Sequence, residues 1–156
     1  MADVEIEFND EGAEEFFREL TKDVKSVSEM ETKYLNAIAP LVIADVFRHF
    51  EQQAGADGGW KPWSQPYEEH MKRIGKTGNM ILQDSGRLRN SIVPGNYKKA
   101  SGGVVWYTNA KTKKGYPYAA GHDEGDGKLP QRSFMWLSSN TLENIESLTM
   151  KFVLGE

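Results

Sequence analysis

The chain has 156 residues, enough for one domain with a sizeable core, since folding at this length removes roughly 68–70% of the surface an unfolded chain exposes. Hydrophobic residues make up 38% and charged residues 27%, with 7 Phe, 6 Tyr and 4 Trp, which is too aromatic for a disordered chain and too polar for a membrane protein. The absence of cysteine excludes disulfides, thiolate nucleophiles and the usual structural zinc sites, and fits a reducing compartment. No apolar run approaches the roughly 18–20 residues of a membrane helix, and the opening residues lack the basic-then-apolar order of a signal peptide. The net charge of −4 is unevenly spread: residues 1–53 carry 13 acidic and 5 basic side chains, whereas residues 72–114 carry 10 basic side chains against the single acid Asp84. Such segregation predicts two differently charged surfaces.

In chain order, Val4-Glu5-Ile6-Glu7-Phe8 alternates apolar and acidic residues and predicts a short half-buried strand. Asn9 or Asp10 then caps a helix to about Ser26. Ser28 followed by Glu31 is a capping-box pattern for a longer helix to about Gln53, with Tyr34, Ile38, Leu41, Val42, Val46, Phe47 and Phe50 on one stripe. Pro40 falls inside it and predicts a kink or a division. Of the 21 glycines and prolines, 18 lie between Gly55 and Pro130, so the middle is loop-rich. It holds an exposed loop over 55–64 with two tryptophans, a short helix over 66–74 with Pro66 in its first turn, and a short segment ending near Leu88. Val104-Val105-Trp106-Tyr107-Thr108 predicts a strand that pairs with one over 91–98 through the turn at 100–103. A short strand over 133–137 and a last helix from Ser139 or Asn140 complete an α+β fold. N-terminal helices and a C-terminal helix are expected to pack on a small antiparallel sheet as a single domain over 1–156.

Few residues offer chemistry. Gly75-Lys76-Thr77 ends like a phosphate-binding loop, but the glycine such a loop needs five residues earlier is His70, and a helix-terminating turn fits better. His49 has no second ligand three or four residues away, and His70 lies beside Glu68 and Glu69 on a short helix whose adjacent positions face different ways. His122, Asp123, Glu124 and Asp126 form the densest ligand-type cluster, yet their spacing matches no established calcium loop and predicts an ordinary polar loop with His122 hydrogen-bonded locally. No serine-nucleophile motif is present, so neither catalysis nor a cofactor is indicated. Lys98, Lys99, Lys111, Lys113 and Lys114 flank the Val104–Thr108 strand, with Trp106, Tyr107 and Tyr116 among them. That pattern suits stacking on single-stranded bases, although a pI of about 5.5 argues against a dedicated DNA-binding protein.

Four blocks in order carry a resemblance. They are Trp60-Lys61-Pro62-Trp63-Ser64 and the stretch from Leu82 through Asp84-Ser85-Gly86-Arg87-Leu88 to Ser91-Ile92, then Tyr118-Ala119-Ala120-Gly121-His122 and Pro130-Gln131-Arg132-Ser133-Phe134. In these the chain resembles the virion morphogenesis, or tail-completion, proteins of tailed bacteriophages. Trp63, Ser133 and the pair Asp123-Glu124 depart from the family's pattern, and 110–117 is longer and more basic than usual. The residues read alone agree with a structural role: Asp84 or Ser85 accepts backbone hydrogen bonds in a turn, Gly86 permits a positive φ, and Leu88 with Ile92 anchors one face. Pro130, Arg132 and Phe134 fix an extended approach.

The resemblance implies a non-enzymatic virion protein, assembled in the host bacterial cytoplasm, that forms a homo-oligomeric ring, a hexamer, at the head-proximal end of the tail or in the neck. Its partners would be tail tube or sheath proteins, head connector or neck proteins, and genomic DNA in the channel, with no membrane. The charge segregation adds the expectation that the acidic first third meets the basic middle across subunits, Lys98, Lys99, Lys111, Lys113 and Lys114 facing neighbours or DNA. A small nucleic-acid-binding module using residues 72–114 is the competing reading, and a hydrolase dependent on His122 is a third.

Overall fold

The first element among the described residues of the computed structural model is a 29-residue helix, α1 (Val24–Gln52). Described residues are 24–78, 80–100 and 103–154, so the strand expected at 4–8 and nearly all of the first expected helix lie outside them. Ser28 is not a cap: the Thr32 hydroxyl donates to the Ser28 carbonyl at 2.8 Å, a bond to the preceding turn inside a helix already under way. Nor does Pro40 divide α1. Pro40 and Asn36, the residue whose carbonyl loses its amide partner, are both exposed, so water can take up the missing bond. The apolar stripe continues on the other side through Leu35, Ile38, Val42, Val46 and Phe50, all buried.

Contacts group the described residues into two compact units, one of 46–92 with 108–136, the other of 24–45 with 93–107 and 137–154. In the first, Gln53 turns out of α1 with φ 49°, and β1 (Ala54–Gly55) pairs antiparallel with β2 (Gly58–Gly59). Helix α2 (Gln65–Arg73) follows with Pro66 in its first turn, then the single-turn helices α3 (Arg87–Asn90) and α4 (Ala119–Asp123). Phe50 and Phe134 are fully buried at the centre, with Leu88 and Ile92 close to that. Trp60, expected in an exposed loop, is buried too, its ring edge-on to Phe50 at 5.5 Å. The gain is about 25 cal/mol for each Å² of apolar surface removed from water, and an indole has much to remove.

In the second unit β3 (Tyr97–Ala100) and β4 (Gly103–Trp106) form an antiparallel hairpin with Tyr97 opposite Trp106 and Lys98 opposite Val105. The first strand begins at Tyr97, well after the expected Ser91, because Pro94 has no N–H and the Asn96 N–H turns back to the Val93 carbonyl at 3.0 Å. Helix α5 (Ser139–Leu154) starts where expected. Its start is held by the buried Asp45 carboxylate, which accepts from the Ser138 N–H at 2.7 Å and the Ser138 hydroxyl at 2.9 Å. The Tyr34 and Thr149 hydroxyls bond at 2.7 Å between α1 and α5. The two hairpins and five helices among the described residues confirm the α+β class.

Candidate functional site

The strand expected over 133–137 is absent, and its replacement organises the first unit. The N–H groups of Phe134 and Met135 donate to one oxygen of the buried Asp123 carboxylate, at 2.7 and 2.9 Å. A side chain thus does what a neighbouring strand would have done for two buried amides. Asp123 is placed for this by α4, and the chain between is drawn in by the Arg132 N–H, which donates to the His122 carbonyl at 2.7 Å. The intervening loop is closed by Asp126, whose carboxylate accepts from the Lys128 and Leu129 N–H groups at 3.0 and 2.7 Å. These bonds hold its carboxyl below the usual range. Gly125, at φ 79°, brings the loop so close that a Cβ would lie 3.3 Å from the Gln131 nitrogen.

Arg132 is the second clamp. It is 6% exposed, and its Nε and Nη2 donate to the Lys61 and Pro62 carbonyls at 2.9 and 3.0 Å. Beside it the Trp60 indole N–H donates to the Ser133 carbonyl at 2.9 Å. His49, 2% exposed, hydrogen-bonds through Nδ1 to the Phe134 carbonyl at 3.0 Å, which as an acceptor requires the proton on Nδ1. The His49 ring stacks on Trp136 with centroids 4.0 Å apart and planes within 3°. His122 Nδ1 is buried with no hydrogen-bond partner among the described residues, so the expected local bond of its side chain is not made. Burial first, and the charge of Arg132 second, push the His122 pKa below its ordinary value, while Asp126 pulls the other way.

The segment 82–92 packs in the same unit. Gly86 has φ 70° and leads into α3, and Leu88 and Ile92 are buried, as the motif predicts. The Gln83 amide donates to the Phe50 carbonyl at 2.9 Å, and Arg89 pairs with Glu51 at 3.0 Å while lying over the Phe47 ring. The Ser91 hydroxyl donates to the Leu88 carbonyl at 2.7 Å and shares a further bond with the Thr108 hydroxyl. Asp84 pairs with Lys76 at 2.5 Å, and Ser85 is exposed. Tyr118 sits edge-on to His122 with ring centroids 6.1 Å apart, and burial raises its phenol pKa. All four sequence blocks therefore serve one buried polar knot built from residues 49–62, 82–92, 118–123 and 130–136. A model of the phage virion morphogenesis family matches residues 9–153.

The chain belongs to that family.

Its role is accordingly one of virion structure and assembly. No curated protein and no solved structure matches it. Within the family framework, other residues weighed from sequence find ordinary structural places. At Gly75-Lys76-Thr77 the first two amides turn back to the Lys72 and Met71 carbonyls at 3.1 and 2.9 Å, ending α2. Among the described residues no group of three or more His, Asp or Glu side chains gathers as a metal site. Trp106 is buried against Tyr97, so it is not available to stack on a base, whereas Tyr107 and Tyr116 are exposed.

The lysines divide: Lys98 and Lys99 belong to one unit, Lys111, Lys113 and Lys114 to the other. Lys99 pairs with Glu31 at 2.6 Å, as Arg89 does with Glu51, so part of the expected meeting of acidic and basic segments occurs within one chain. The residue that sequence reasoning missed is Asp45. Its signal was present, because a carboxylate between Val42 and Val46 on an apolar stripe must either break the stripe or find buried donors.

Proposed function

We propose that this chain forms a homo-oligomeric ring, a hexamer, at the head-proximal end of the phage tail or in the neck, where it completes the tail and joins it to the head. The supporting observation is family membership over 9–153, together with a fold in which the motif residues Trp60, Leu88, Ser91, Arg132 and Phe134 serve to hold shape. Trp60, Asp123, Arg132 and Ser91 are engaged with backbone, so the reading gives them no reaction to perform. The chain is in this view a non-enzymatic assembly part without a cofactor. Its neighbours are other copies of itself, tail tube or sheath proteins, head connector or neck proteins, and the genomic DNA that passes through, and it assembles in the host bacterial cytoplasm. No helix among the described residues is long and apolar enough to cross a membrane.

The test is genetic and visual. Removing the gene from its phage should leave full heads and tails unjoined in electron micrographs, and supplying the wild-type chain should restore joined particles. Joined, infectious particles without the gene would overturn the reading. The oligomer should weigh an integral multiple of 17.6 kDa, six copies for the hexamer.

A further inference from the structure

Two surfaces of the described chain are opposite in charge and alike in carrying uncovered apolar groups. The first is the loop from Lys111 to Pro117. An antiparallel bridge joins Lys111 and Pro117, the Thr112 N–H donates to the Tyr116 carbonyl at 2.9 Å, and the Gly115 N–H donates to the Thr112 carbonyl at 2.9 Å. The Tyr116 N–H reaches the Thr112 hydroxyl at 3.1 Å. This small knuckle is thereby ordered before it meets anything, and its tip holds Lys113, Lys114 and Tyr116 in solvent, the tyrosine 57% exposed. Among the described residues no acidic side chain is in ion-pair distance of Lys111, Lys113 or Lys114.

The second surface is the outer face of α5. Leu142, Glu146, Met150 and Leu154 are four apart, so each step turns by only about 40° and they form one row, with Glu143 in the same arc. Leu142, Met150 and Leu154 are 41%, 54% and 63% exposed, while Ile145 on the other side of the helix is buried. The helix has already filled its inner face, so the outer row is apolar area with nothing over it among the described residues.

We propose that these surfaces meet between copies of this chain. The Lys111–Pro117 loop of one copy docks on the α5 outer face of the next, Lys113 and Lys114 against Glu143 and Glu146, Tyr116 against Leu142 and Met150. Two different patches make the contact heterologous, the type that builds a ring where its rotation closes, so this inference rests on the ring reading and supplies its subunit contact. A second copy is the occupant because it matches both halves at once: it brings cations to the carboxylates and an aromatic ring to the apolar row. Nucleic acid would satisfy the lysines and leave Leu142, Met150 and Leu154 uncovered. An ordered loop also loses little conformational freedom on docking.

The chain has no cysteine, so a disulfide can report the contact directly. Lys114→Cys and Glu146→Cys chains are co-expressed during phage growth, and the particles are oxidised. A cross-linked dimer is expected from the mixture and from neither variant alone. In parallel, K113E/K114E and E143K/E146K should each weaken self-association on the order of a hundredfold, and a chain carrying all four changes should regain it. Unchanged melting temperatures of the reversed chains show that folding is intact. Rings that form undiminished with either reversal alone, or particles that contain rings but give no mixed cross-link, would overturn the docking and leave the ring reading standing. A K113E/K114E chain that keeps its oligomer but no longer retains double-stranded DNA would also overturn it, by giving the loop to nucleic acid. A single copy per particle would instead remove the ring reading itself.

Discussion

Arg132 and Lys113 are both cations in the same unit of the chain, and they are used in opposite ways. Arg132 is 6% exposed and its charge is spent on the Lys61 and Pro62 carbonyls, whereas Lys113 projects from an ordered loop into water. The buried cation fixes the fold and leaves nothing to offer a partner. The exposed one contributes nothing visible to the fold and keeps its charge for something outside. The difference teaches that a charge count cannot separate the two uses, because burial and backbone geometry decide between them.

Substitutions should separate the two regions by size of effect. The largest is expected at Asp123→Ala, which strands two buried N–H groups and should cost about 3–5 kcal/mol in urea unfolding, with Asp123→Asn costing less because one acceptor oxygen remains. Arg132→Lys should cost about 2–3 kcal/mol despite keeping the charge, since an ammonium cannot reproduce the two directed bonds to Lys61 and Pro62. Gly86→Ala should cost about 1–2 kcal/mol because a side chain is strained at φ 70°, and Gly95→Ala, where φ is ordinary and space is open, should cost far less.

His122 gives the pH dependence. Its folded pKa is held below the ordinary 6.5, so below that pH the unfolded chain takes up a proton that the folded chain resists. Stability should therefore be greatest above about 6.5 and decline as the pH falls from there through the folded value. His122→Gln should flatten that slope in thermal melts taken at a series of pH values. The smallest effect belongs to the other region: Lys113→Ala with Lys114→Ala should leave stability within about 0.5 kcal/mol, and a larger loss would mean that Lys113 serves the fold as Arg132 does.

Much of this was legible in the sequence where local chemistry decides the outcome. The start of α5 at Ser139, Pro66 in the first turn of α2, the positive φ at Gly86 and the buried Leu88 and Ile92 all follow from residues near one another. The family resemblance, carried by four short blocks, was legible too, and the match over 9–153 bears it out. What could not be read were substitutions of one hydrogen-bond partner for another across long separations. Residues 133–137 carry the composition of a strand, yet two of their amides are satisfied by a carboxylate 11 and 12 residues earlier, so no strand forms. Trp60 looks exposed among glycines and prolines until its partner at Ser133, 73 residues on, is known. Pro94 was visible, but its effect on where β3 begins depended on the turn from Val93 to Asn96.

The reach of these bonds also sets when the fold can appear. The clamps join residues 70, 71, 73 and 85 positions apart, from His49 and Trp60 to Pro62 on one side to Arg132, Ser133 and Phe134 on the other. At about 5–20 residues per second on the ribosome, Pro62 waits roughly 4–14 s for Arg132 to be made. During that interval the Lys61 and Pro62 carbonyls and the Trp60 indole N–H lack the partners they later bond, and the Phe50 ring lacks Phe134. The closing of the knot is therefore a late step, and a chain interrupted before residue 132 would hold none of its clamps. A virion part built this way cannot take its folded form until synthesis has passed residue 132.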